Sequence, residues 1–163
     1  MVDEQLIQRG KQWLERLTAL VGLPAQVAVD VEKLDTEGSY WLTIDNGGLT
    51  TEQTQALLGV NGSVLDAIQY LANTTLNLGQ PEESQTAYTI ELAGYRVRRQ
   101  AELQEMADQA AQQVRQTGGE YELVSLSAAE RRQVHTYLKL FDDLETESRG
   151  REPDRRLIVR LAL

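Results

Sequence analysis

The chain has 163 residues, 41% of them hydrophobic, enough to bury one large core or two small ones. It has no cysteine and one histidine, which excludes a disulfide framework and argues against a transition-metal site. No apolar run approaches the ~20 residues of a membrane span, and the start, Met-Val-Asp-Glu-Gln, is unlike a signal peptide, so a cytoplasmic protein is expected.

The net charge of −9 is unevenly placed. Residues 1–93 hold four basic side chains (Arg9, Lys11, Arg16, Lys33) against thirteen acidic ones, whereas 94–163 hold twelve of each. No Lys or Arg lies between Lys33 and Arg96. Polyanion binding relies on Lys and Arg displacing counterions, so any such role should reside in the second half.

Leu6, Gly10, Trp13, Leu14, Leu17, Leu20 and Val21 recur at helical spacing, which predicts a helix over roughly 3–21, with Trp13 in the core. Gly22-Leu23-Pro24 stops it. Val27, Val29 and Val31 alternate with Gln26, Ala28, Asp30 and Glu32, Asp35 to Gly38 reads as a turn, and Tyr40, Leu42 and Ile44 alternate again. This is a hairpin. Trp41 points opposite to Tyr40 and Leu42, and is either covered by a helix or exposed. Thr50-x-x-Gln53 has capping-box spacing and opens a short helix through Leu58. Gly59-Val60-Asn61-Gly62 interrupts it, and Leu65, Ile68, Leu71, Ala72 and Leu76 begin another. Tyr88, Ile90 and Leu92 form a third strand.

Gly94 marks a boundary, with domains expected at 1–94 and 95–163. Residues 95–117 read as one long helix stopped by Gly118-Gly119. A strand near 120–125 follows, then a helix over roughly 128–141 opened by the capping box Ser127-x-x-Glu130. Residues 144–148 and 155–161 pair as strands across Gly150 and Pro153. The fold class is α+β.

Two constellations carry chemistry. In the GxxG of Gly59, Val60, Asn61 and Gly62, glycines let the chain turn tightly and let phosphate approach main-chain N–H groups at a helix start. A plain helix–turn–helix joint is an equal reading of the motif alone. In the second, Arg131 and His135 stand four apart, and with Arg132 and Lys139 they fall within one arc of about 100°. That stripe suits a phosphate-tracking helix, and equally an ordinary solvated face. No catalytic constellation is present, so no enzyme and no cofactor is expected.

The order helix, strand, strand, helix, GxxG, helix, strand, with Leu57 to Leu71 around the loop, resembles the type II KH domain of the bacterial Jag family, also called KhpB. Ala129 to His135, followed by Gly150 to Val159, is similar to that family's second domain, named for its Arg-x-x-x-His motif. The resemblance implies a non-catalytic binder of single-stranded RNA acting in post-transcriptional regulation, with a short single-KH-domain protein as a partner. It implies phosphate contacts by Arg131, Arg132, His135, Arg155 and Arg156 with Lys139 helping, and a secondary site at Gly59 to Gly62. Val60 and Asn61 stand where the family leads one to expect a basic residue. The family's extra N-terminal domain and charged linker are expected to be missing. The rival expectation is an interaction scaffold that keeps the KH fold without strong RNA binding.

Overall fold

A computed structural model describes residues 3–163 and divides after Arg96 into two compact units, each with its own core. The architecture is mixed α and β, with two three-stranded sheets among the described residues. No helix among them is long and apolar enough to cross a membrane.

The first unit opens with α1 (Glu4–Leu20), where the Asp3 carboxylate accepts from the Gln5 and Leu6 amides, donors the helix itself leaves unpaired. Gly10, Leu14 and Thr18 form its buried stripe, and Trp13 packs beside them. Gly10 is there for contact: a Cβ on it would lie 2.5 Å from Tyr88 Cε1. β1 (Val27–Asp30) pairs antiparallel with β2 (Tyr40–Ile44), and β2 pairs parallel with β3 (Tyr88–Leu92), so β2 is central. Parallel neighbours need a crossover, supplied by α3 (Thr51–Leu58) and α4 (Ser63–Asn77). The capping box of Thr50 and Gln53 starts α3 as its spacing predicts.

The expected turn at Asp35 to Gly38 is corrected. Residues Glu32–Glu37 form a short helix, α2, ended by Gly38 at φ 68°, and Val31 is its N-cap rather than a strand residue. The alternation of 27–31 is cut short because the Asp30 carboxylate accepts from the Glu32 amide and starts the helical turn. The outcome for Trp41 is burial: it is 6% exposed, with Lys33 Nζ of α2 3.5 Å from the ring centroid.

α4 also closes the outer edge of the sheet. Gln69 Oε1 accepts from the Ile90 amide, while the Asn73 and Asn77 amides bond both backbone groups of Tyr88 and Thr86. Four residues of helix rise about 6 Å and two of strand about 6.6 Å, so the ladder stays in step.

The second unit is built on α5 (Tyr95–Thr117), whose first residues belong to the first unit. Its buried Leu103, Ala107, Ala110, Ala111 and Val114 face a core shared with Leu123, Val134, Leu138, Leu157 and Val159. β4 (Tyr121–Leu123), β5 (Leu144–Arg149) and β6 (Arg156–Leu161) form an antiparallel sheet in the order β4-β6-β5. Between β4 and β5 runs α6 (Ala128–Leu138). It ends three residues before the expected 141, with Lys139 as its C-cap; Phe141 lies beyond it, edge-on to Tyr137 at 5.7 Å. The β5–β6 loop, residues 150–155, contains a cis Glu152–Pro153 bond.

Candidate nucleic-acid interface

The start of α6 is fixed twice. Ser127 Oγ accepts from the Glu130 amide, and the Glu130 carboxylate accepts from the Ser127 amide and from Arg99 Nε at 2.7 Å. Burial alone would raise the Glu130 pKa, but the hydrogen bonds from Arg99 and Ser127 outweigh it and hold the carboxyl below its usual range. With the first turn set this way, the next residues have no freedom of phase.

Arg131 lies on the inner side. It is 5% exposed and shares a buried stripe with Val134 and Leu138. Its Nη1 donates to the Leu126 carbonyl at 2.6 Å and to the Arg155 carbonyl at 3.4 Å, and its Nη2 pairs with the Glu152 carboxylate. Arg131 therefore stands apart from the exposed stripe that the spacing of 131, 132, 135 and 139 suggested. His135 is half-buried, and its Nδ1 shares a hydrogen bond with Thr146 Oγ1 of β5. Arg132 and Lys139 are exposed, and their side chains make no hydrogen bond or ion pair among the described residues.

The loop and sheet divide the remaining cations. Arg155 is exposed with a free side chain among the described residues, while Arg156 pairs with Glu122 at 2.5 Å. Arg149 and Arg160 are likewise taken up by Glu120, Glu145 and Glu147 on the outer sheet face. The hydrogen bond from Arg149 holds the Glu120 carboxyl below its ordinary range. Ile158, 1% exposed, faces its cross-strand neighbours Glu122 and Glu147 beneath these pairs. Sequence reasoning missed Arg151, which is exposed and unpaired among the described residues. Loops have no period, and only its place between Gly150 and Arg155 pointed to it.

The other predicted site is a sharp backbone break. Gly59 and Gly62 have φ 70° and 74°, and a Cβ on Gly62 would run into the Tyr95 ring. Asn61 is left-handed at φ 54°, and Val60 is 81% exposed at the tip. No basic side chain belongs to the loop, and Arg96 of the same unit is bound to Asp66 at 2.5 Å.

Comparison with known proteins bears on the second unit most directly. Residues 101–161 match the R-three-H domain, the domain named for an Arg-x-x-x-His motif. The matched segment contains Arg131, Arg132, His135, Lys139, Arg151, Arg155 and Arg156. Over nearly the whole chain, relatives are proteins named RNA-binding protein KhpB. That of Clostridium symbiosum is 27% identical over 158 residues, covering 97% of this chain and 67% of the relative. That of Lactiplantibacillus plantarum is 28% identical over 139 residues, 85% of this chain and 40% of the relative. That of Bacillus subtilis is 24% identical over 155 residues, 94% and 69% respectively. The domain match and these relatives together support the KhpB/Jag family. The chain thus spans 40% to 69% of the length of these relatives.

Proposed function

We propose that this chain is a non-catalytic binder of single-stranded RNA, bacterial and cytoplasmic, acting in post-transcriptional regulation. Its relatives are named RNA-binding proteins, and the Arg-x-x-x-His domain binds nucleic acid. One observation carries the placement of the site. Of the nine basic residues in the matched segment 101–161, five (Arg115, Arg131, Arg149, Arg156, Arg160) are ion-paired. Arg132, Lys139, Arg151 and Arg155 are exposed and unpaired among the described residues. An arginine already paired has to exchange a carboxylate for a phosphate and gains little, whereas a free one releases counterions outright.

On this reading residues 1–94 are a type II KH domain and 95–163 an Arg-x-x-x-His domain. Support for the first comes from the antiparallel β1–β2 pair, the parallel β2–β3 pair and the break at Gly59 to Gly62 between two helices. The GxxG loop serves as a minor backbone contact, and a short single-KH-domain protein is a candidate partner. The test is fluorescence polarisation of the full chain with a labelled single-stranded RNA and with its duplex. Tighter binding of the single strand is expected. Equal binding of the duplex, or no binding of either, would contradict the proposal.

A second reading makes the first unit a protein-docking module. It is favoured by apolar exposure on and beside α4: Val60 81%, Tyr70 71% and Leu78 77% exposed. Tyr70→Glu separates the two, since it should leave RNA affinity unchanged and abolish association with a protein partner.

A further inference from the structure

The motif pair Arg131 and His135 is the most recognisable feature of the second unit, yet both side chains are engaged with protein. Arg131 is 95% buried, and its guanidinium fork meets three acceptors on two loops. They are the Leu126 carbonyl before α6 and, from the β5–β6 loop, the Arg155 carbonyl and the Glu152 carboxylate. A planar fork with fixed donors suits this task, and an ammonium does not. His135, one turn on, ties α6 to β5 through Thr146. Meanwhile the loop so captured carries Arg151 and Arg155, both exposed and unpaired among the described residues, and Arg132 follows Arg131 directly in α6.

We infer that Arg131 is a positioning residue: it clamps the 150–155 loop to the start of α6, and Arg151, Arg155 and Arg132 are the groups that touch phosphate. This rests on the RNA-binding reading above. The clamp has a second consequence. Residues 150–155 hold two acidic and two basic side chains, so the loop alone offers a polyanion no net attraction. With Arg131 closing on Glu152, one of the two negative charges is cancelled and the loop faces solvent with a surplus of positive charge.

Glu152 makes the inference testable, because clamp and simple charge give opposite signs. Removing an acidic residue from a polyanion-binding loop ordinarily tightens binding. If Glu152 anchors Arg131, Glu152→Ala frees the loop and weakens RNA binding instead. Glu152 has a side chain 58% exposed, so its truncation opens no cavity, and Arg131 keeps the Leu126 and Arg155 carbonyls as acceptors. The experiment compares the full chain with Glu152→Ala, Arg131→Lys and Arg151→Ala. It measures amide hydrogen exchange of residues 150–156 without RNA and polarisation with a labelled single-stranded RNA over a range of salt.

Glu152→Ala and Arg131→Lys should both speed exchange in the loop and weaken RNA binding, by about tenfold where one charge-assisted hydrogen bond is lost. Arg151→Ala should leave exchange unchanged and lower the log–log salt slope by about 0.7. Tighter binding by Glu152→Ala with unaltered exchange would overturn the inference, as would Arg131→Lys matching the parent in both measurements. If the parent itself fails to bind RNA, the RNA-binding reading falls. The exchange data then decide alone whether Arg131 positions the loop.

Discussion

Arg131 is buried with Val134 and Leu138 on the inner face of α6, and its guanidinium bonds two loops. Spacing correctly puts Arg131 and His135 near one another on a helix, but the phase of the core decides which way they look. Arg131, Val134 and Leu138 stand at i, i+3 and i+7, the spacing of a buried stripe, so the inward direction was legible once the apolar residues were taken as the reference. What no spacing could supply was its partners, which are carbonyls and a carboxylate from loops. Gly10 is the opposite case: it reads as one more residue of an apolar stripe, yet its missing Cβ lets α1 approach β3. Gly10→Ala should gain helix propensity and still destabilise, by about 1–3 kcal/mol, because Tyr88 is held in place by donating to the Leu6 carbonyl. Urea denaturation checks it; a raised midpoint would show that Tyr88 can yield.

Most elements were readable, since their signals are local. Helix α1, three strands of the first unit and both capping boxes follow from spacing and capping residues. α2 was not, because six residues give too short a window for a helical period, and the preceding valines continue a strand pattern. The α4–β3 ladder was hidden for another reason: Gln69, Asn73 and Asn77 read as polar helix surface until the strand they serve is known. Their amides satisfy backbone groups that an edge strand otherwise leaves open. Asn73→Ala should therefore cost about 1–3 kcal/mol through the orphaned Tyr88 N–H and C=O, a loss visible in chemical denaturation. A cost below a few tenths would mean water replaces the amide freely.

The start of α6 makes a pH-dependent contribution at the same scale. With its folded pKa held below the usual carboxyl range, Glu130 stabilises the fold above its unfolded pKa of about 4.3. That contribution is lost as the pH falls through the lower, folded value. Glu130→Gln keeps a side chain that can bond the Ser127 amide but surrenders the Arg99 ion pair. It should be less stable than the parent at neutral pH by about 1 kcal/mol, and the difference should shrink on acidification. A constant difference between pH 7 and pH 3 would place the effect elsewhere.

At the scale of the whole molecule, charge sorting is the organising fact. The excess of acid lies before residue 94, and the second half is balanced overall. The net charge hides how that balance is arranged: most arginines of the Arg-x-x-x-His segment are matched to glutamates or aspartates, and a few are left open. Counting residues could reveal the asymmetry between halves. Only the ion pairs could reveal which cations remain available. Arg156, expected at the interface beside Arg155, is instead held by Glu122 across the β4–β6 pair, and Arg156→Ala should change RNA affinity far less than Arg155→Ala.

We propose that RNA is held chiefly by the unpaired cations of the second half, with the GxxG loop a minor contact that adds no counterion release. The decisive measurement is the salt dependence of single-stranded RNA binding by the full chain, by an Arg132→Ala/Arg151→Ala/Arg155→Ala variant and by a Val60→Asp/Asn61→Asp variant. The triple variant should lose about 2 from the log–log slope and most of its affinity, while the loop variant keeps the parental slope. A triple variant that binds like the parent, or a loop variant that loses more than the triple, would contradict it.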